Sequence, residues 1–289
     1  MKFGQVENPE KVDFTLPKDH PDTLKNLSST DKKTFEVYVG CAKWNRQDLK
    51  GFYPRGTKDE LTYYATQFNS IELNATFYVS PNSEQVQIWK SKTPNNFKFY
   101  PKINNTISHF RRLNNIQDKL TEFCDAISNF EDRLGITFLQ VHDNFKPKDY
   151  DRLENFIKEF PKEIPLAVEL RNNEWFSEAE IKEKVFHLFK KEKTTPIIVD
   201  TAGRRDLLHM HLTGPTAFIR YVGANVSSDY TRLDDWVERI ATWRTEGLES
   251  LHFFVHQNIE KESPLLSAYF IEKLNKKFNL ELKIPETAK

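Results

Sequence analysis

Glu72, Asn74, Lys102, Gln140, Glu169, Arg171, Asp200, Arg220 and His256 each sit at or near the C-terminal end of a short apolar run. Carboxylates can take protons or hold hydroxyl groups, and a lysine or histidine can give a proton back near neutral pH. Guanidinium groups hold a carboxylate or phosphate through paired hydrogen bonds. If those ends share one face of the fold, the acids Glu72, Glu169 and Asp200 meet the cations Lys102, Arg171 and Arg220. The plain alternative is an ion-pair network that only closes the interior. Burying each ion costs several kcal/mol and an apolar replacement is often as stable, so stability alone accounts poorly for the whole set. Glu169 and Arg171, two apart on one run, form the pair most readily explained as structural.

Their mutual effect sorts the roles. Nearby cations lower a carboxylate pKa, so all three acids are expected to be ionised at neutral pH. Glu72 or Asp200 is then expected as the base and Lys102 or His109 as the acid, with Glu169 completing the catalytic set. Arg171 and Arg220 are expected to hold an anion, and Asn74, Tyr78, Gln140, His256 and Asn258 to line its site. Glu72, Glu169, Asp200, His109 and His256 offer oxygen and nitrogen ligands to a metal. The three cations would repel a divalent ion there, and no compact motif such as His-Glu-x-x-His occurs. No cofactor is therefore expected, with a divalent metal as the alternative. Cys41 beside Lys43 reads as a small packing residue rather than a thiolate nucleophile, and Cys124 as core.

These residues need elements to bring them together. The runs span 35–40, 70–74, 97–102, 135–140, 166–171, 196–200, 216–221 and 250–256. Between most of them lies helical periodicity: 58–68, 83–90, 115–130, 149–160, 233–243 and 264–278. Ser177, followed by Glu180, reads as the capping box of one more helix. The stretch 201–212 is short and irregular, so a sixth helix is weak or missing. Eight strands separated by helices predict a single (β/α)8 TIM barrel over 35–289, with its reactive mouth at the strand C-termini. Residues 1–34 read as an N-terminal extension in which Pro9, Pro17 and Pro21 break any regular element and Ser28, Ser29 and Thr30 favour turns.

Composition limits the partners. Of 289 residues, 42 are Lys or Arg and 42 are Asp or Glu, a net charge of zero that disfavours general nucleic-acid binding. No apolar run approaches the roughly 20 residues that cross a bilayer. The start lacks the pattern of a secretory signal, and two distant cysteines suit a reducing cytoplasm. A small anionic or hydroxylated ligand is the expected partner; oligomeric state is not legible.

At these residues the chain resembles the YecE-like family. The stretches that carry the resemblance are Gly40-Cys41-Ala42-Lys43-Trp44, Gly51-Phe52-Tyr53-Pro54, Ile71-Glu72-Leu73-Asn74-Ala75-Thr76-Phe77-Tyr78, Ala167-Val168-Glu169-Leu170-Arg171 and Trp175-Phe176. The resemblance implies a TIM barrel and a site at its mouth, and supplies no reaction. Three places depart from the family pattern: Arg220-Tyr221-Val222-Gly223 replaces Arg-x-His-Gly, His256-Gln257-Asn258 an Asn-Asn pair, and Gln140-Val141-His142-Asp143 a Gln-x-Pro-Pro. The chemistry on that side of the mouth is expected to differ. Three readings follow: an enzyme doing acid–base chemistry on a small anionic or sugar-like substrate, a metal-assisted phosphodiesterase or nuclease, and a non-catalytic ligand-binding or regulatory barrel.

Overall fold

Residues 4–27 and 35–286 are described by the computed structural model. The β-branched and aromatic runs form eight strands: β1 (Glu36–Cys41), β2 (Ser70–Leu73), β3 (Lys98–Pro101), β4 (Thr137–Gln140), β5 (Leu166–Glu169), β6 (Thr195–Asp200), β7 (Thr216–Gly223) and β8 (Ser250–Gln257). All pairings are parallel. One six-stranded sheet runs β1-β8-β7-β6-β5-β4, and β2 pairs with β3 in a second sheet. The six-stranded sheet curls into a half-barrel around a core that includes Phe138, Ile197, Val199, Phe218 and Phe254. Tyr100 of β3 enters that core, meeting Phe254 at 4.7 Å and hydrogen-bonding His252 Nδ1 at 2.6 Å.

Sparse contacts join the two sheets. On one side, bridges pair Phe99 with Leu134 and Lys102 with Phe138, and the Ile103 amide donates to Phe138 O at 2.9 Å. On the other, Asn69 does the work of a strand: its Oδ1 accepts from the Val39 amide at 3.0 Å and its Nδ2 donates to Val37 O at 2.8 Å. Gly40 permits the close approach, because a Cβ there would lie 2.3 Å from Ser70 O.

Ten helices are assigned among the described residues: α1 (Pro21–Leu27), α2 (Glu60–Gln67), α3 (Ala75–Tyr78), α4 (Ser83–Ser91), α5 (Gln117–Ser128), α6 (Tyr150–Glu159), α7 (Glu174–Ser177), α8 (Ala179–Lys191), α9 (Ser228–Glu246) and α10 (Ser263–Phe278). Asp59 caps α2 by accepting from Thr62 N, and Asn82 caps α4 by accepting from Gln85 N. The stripe on α6 buries Leu153, Phe156 and Ile157. The expected capping box at Ser177 does not form. Ser177 closes α7, its amide bonded to Asn173 O, and α8 starts after an uncapped Glu178.

Between β6 and β7 the chain makes only the 3-10 segment Ala202–Leu207. The place beside it is taken by α1, which corrects the expectation that prolines exclude regular structure upstream. Pro21 is the first residue of the helix, where its missing N–H costs nothing. Thr23 Oγ1 donates to Met210 O at 3.1 Å and accepts from the Leu212 amide at 3.0 Å, and Asn26 Nδ2 donates to Leu212 O at 2.8 Å. Asp19 accepts from Arg239 of α9 at 2.6 Å, while His20 stacks on His211, which stacks on Phe186 of α8. The upstream segment thus seats between α8 and α9. Ser28, Ser29 and Thr30 lie outside the described residues. No described helix is long and apolar enough to cross a membrane.

Candidate functional site

Alternation along a strand puts every second side chain on one face. The inward face of β7 carries Phe218 and then, one step nearer the C-terminal end, Arg220. Arg220 is 6% exposed and joins two fully buried carboxylates. Its Nε and Nη2 donate to Glu72 Oε2 and Oε1, both at 2.8 Å, and its Nη1 donates to Glu169 Oε2. Asn74 Nδ2 adds a bond to Glu72 Oε1 at 2.8 Å, and His256 Nε2 reaches Glu72 Oε2 at 3.0 Å. Glu169 Oε1 accepts from Arg171 Nε at 2.6 Å and from Gln140 Nε2 at 2.9 Å. Residues from β2, β4, β5, β7 and β8, with two just beyond β2 and β5, meet in one chain of bonds at the strand C-termini.

The charges within it are unevenly matched. Burial pushes Glu72 upward, but Arg220 and His256 outweigh that and hold it well below the carboxylate range. Burial likewise opposes ionisation of Glu169, and Arg220 and Arg171 bring it down to about 2. Burial lowers the Arg220 pKa, and the two carboxylates more than reverse it. Both acids are therefore ionised, as the sequence reading expected. With bonds from Arg220, Asn74 and His256 converging on it, Glu72 is a poor base.

Lys102 stands apart. Its Nζ donates to Gln140 Oε1 at 2.7 Å and lies 4.1 Å from the centre of the Phe77 ring. Among the described residues no carboxylate comes within ion-pair distance of it; the adjacent acids are engaged by arginines. Burial, then repulsion from Arg220 and Arg171, lowers Lys102 to about 7. The Gln140 amide is fixed in direction, because its Nε2 is bound to a carboxylate that only accepts, which turns the neutral oxygen toward Lys102.

His109 lies in the π-helical turn Thr106–Phe110, packs edge-on against Phe77 at 4.9 Å and bonds Ser108 Oγ at 2.9 Å. Burial, reinforced by Lys102, lowers its pKa to about 4, so it is a neutral imidazole at pH 7. His256 is raised: burial lowers it, but Glu72 outweighs burial, and Glu260 Oε1 approaches its Nδ1 at 3.7 Å. Glu260 went unread in the sequence, although its place four residues after His256 was a signal. Tyr78 is 71% exposed and stands on the rim. Asn258 follows β8 with its side chain partly exposed and its amide bonded to Gly223 O at 3.1 Å.

Asp200 does not join the group. Ile197 and Val199 face the half-barrel core, so Ile198 and Asp200 face the helices. There Asp200 accepts from Arg205 Nη1, from Arg232 Nη2 at 3.0 Å and from Trp236 Nε1 at 2.8 Å. It ties α9 to β6. The expected role of Arg220 as an anion holder also changes, since its guanidinium is taken up by Glu72 and Glu169.

The donor set of the mouth suits a cation poorly, because its carboxylates already carry arginines. Elsewhere His20, Asp22 and His211 bring ligand atoms within 4.8 Å of one another. The two imidazoles stack with centres 3.9 Å apart and planes 10° from parallel, so their in-plane lone pairs do not converge on one ion.

Residues 38–289 match the family model described as Protein of unknown function DUF72. The UPF0759 protein YecE of Escherichia coli (strain K12) is 27% identical over 262 residues, covering 83% of this chain and 93% of the relative. The UPF0759 protein YunF of Bacillus subtilis (strain 168) is 27% identical over 150 residues, covering 49% of this chain and 52% of the relative. A crystal structure of a DUF72 family protein from Enterococcus faecalis V583 superimposes with a TM-score of 0.66 at 18% identity, covering 85% of this chain and 98% of that one.

Proposed function

The chain belongs to the DUF72 family, and from that premise we propose that it is an enzyme that moves protons on a small anionic or sugar-like substrate at the C-terminal mouth of its strands. The observation that carries this reading is Lys102: a buried amine whose polar partner is a neutral amide oxygen, beside acids already claimed by arginines. A buried cation without a carboxylate destabilises a fold, so a purely structural role serves it badly. With its pKa lowered to about 7, the same amine both takes and gives a proton near neutral pH. The sequence reading named Lys102 as acid and Glu72 as base. The bond count on Glu72 favours giving it and Glu169 to the frame, and pairing Lys102 with neutral His109 as the groups that exchange protons. On this reading Arg171, Asn74, Gln140 and Asn258 are the groups that would meet an anion or hydroxyl, with the exposed Tyr78 beside them.

The same reading takes the two sheets as one closed eight-stranded barrel. It is supported by the bridges between β3 and β4 and by Asn69 standing in for the ladder between β1 and β2. Placement in a reducing compartment such as the cytoplasm fits Cys41 and Cys124, both free and buried.

The test is a turnover screen over sugar phosphates and hydroxy or oxo acids, with lyase and isomerase readouts. Lys102→Met should lower kcat/KM by about 100-fold or more, the usual scale of a proton-transfer group, while circular dichroism stays native. In the wild type, kcat/KM should bend near pH 7. Full turnover by a folded Lys102→Met protein would overturn the assignment.

A further inference from the structure

We propose that Lys102 is also a nucleophile, forming a Schiff base with the carbonyl carbon of a small anionic aldehyde or ketone. This deepens the catalytic reading above and rests on it. Three features of the geometry converge on the step. The amine has no carboxylate at ion-pair distance among the described residues, so no ion pair fixes it in the charged form. One N–H is fixed toward Gln140 Oε1 and the Phe77 face covers another side, which leaves the lone pair of the neutral amine a restricted set of directions. The residue lies at the strand C-termini and is 7% exposed, so it is placed at the end of the strands where such folds carry their chemistry. Burial also keeps a large share of it neutral at pH 7, whereas a solvated lysine titrates near 10.4.

The chemistry balances without a cofactor. The nitrogen lone pair forms an N–C bond to the carbonyl carbon as the C–O π pair moves onto oxygen. One proton passes from nitrogen to that oxygen to give a carbinolamine. A second proton, taken from solvent at the mouth, lets the hydroxyl leave as water while the nitrogen lone pair forms the C=N bond. Amine, carbonyl and one proton thus become an iminium ion and water. The iminium draws electrons from an adjacent C–H bond. The released proton goes to His109, a neutral imidazole that packs on the same Phe77 ring as Lys102. That leaves a neutral enamine. The protonated His109 returns a proton to the enamine carbon, restoring an iminium. Water then adds to the C=N carbon and gives up its protons as the C–N bond breaks, releasing the amine and the carbonyl product. The substrate class is a small 2-oxo acid or keto-sugar phosphate, with Arg171 facing its anionic end.

Reductive trapping on the full chain tests this. Glyoxylate, the smallest anionic aldehyde, is supplied with cyanoborohydride at pH 7, and pyruvate and dihydroxyacetone phosphate serve as second probes. Peptide mapping should place the reduced adduct on Lys102, formed at least about 100-fold faster than on solvated lysines, which hold far less neutral amine at that pH. The Lys102 adduct should grow with a midpoint near pH 7, and Lys102→Met should remove the fast phase while the slow surface reaction persists. Adducts spread over surface lysines, with Lys102 unmodified by all three probes, would overturn the Schiff base. If Lys102→Met still abolished turnover in that case, the proton-transfer reading would stand alone; if turnover were untouched, both would fall.

Discussion

Arg220 holds two buried carboxylates on opposite edges of one guanidinium. Arg220→Met would strand both, and losing one partner of a buried ion pair costs about 3–5 kcal/mol. Urea unfolding at pH 7 should show a loss on that scale. The triple change Glu72→Gln, Glu169→Gln, Arg220→Met should cost less than the sum of the single changes, because the groups act as one network. The titrations carry opposite signs. Folded Glu72 and Glu169 lie below their unfolded values, so their stabilisation is present above about pH 4.5 and is lost as pH falls toward about 2. Lys102 is lowered too, but as a base: between about pH 7 and 10.5 the unfolded chain binds more protons, so its contribution makes stability rise with pH there. Lys102→Met should flatten that rise and be more stable than the wild type at pH 6. A Lys102→Met protein less stable than the wild type at pH 6 would mean that the ammonium is compensated in place.

At the level of elements, α1 is held to the β6–β7 connection by the Asn26 amide and by the Thr23 hydroxyl, which serves two backbone groups. Thr23→Val keeps the shape and leaves the Leu212 amide unpaired, while the Met210 carbonyl keeps its bond from the His20 amide, so the loss is about 1–3 kcal/mol for one buried group. Thermal unfolding should register the loss while turnover at 25 °C is unchanged. Gly40→Ala would force a Cβ against backbone, 2.3 Å from Ser70 O, and a rigid clash of this kind shifts β1 against β2 at a cost of about 1–3 kcal/mol. The strands and longer helices were legible because their side-chain periods repeat over enough residues to be read. The group around Arg220 was legible for a related reason: Glu72 and Asn74, or Glu169 and Arg171, share a face by alternation alone. Asp200 was not, because its sequence position at a strand end says nothing of its face until Ile197 and Val199 are known to point inward. Helix α1 was missed because a proline that ends one helix also suits the first turn of another. The saturation of Glu72 depends on contacts that bring β7 and β8 to β2, which no local pattern encodes.

Across the whole molecule, closure of the proposed barrel hangs on the two sparse junctions between its sheets. If β1 and β2 are joined as proposed, their amides should resist hydrogen exchange nearly as well as those of β7 and β8, which share a full ladder. Asn69→Ala removes both bonds to β1 and should speed exchange at Val39 by about tenfold for each 1.4 kcal/mol lost. Fast exchange along β1 and β2 in the wild type would mean an open half-barrel. The position of α1 also has a consequence for how the chain is made. Thr23 and Asn26 bond to groups 187 and 186 residues downstream. At about 5–20 residues per second, a ribosome takes about 10 to 40 seconds to deliver those partners after α1 has been synthesised. Through that interval Thr23 and Asn26, both buried in the finished protein, lack those partners. Changes in α1 should therefore appear first as lost soluble yield and greater dependence on chaperones during translation, with the chemistry of the molecules that do mature left intact.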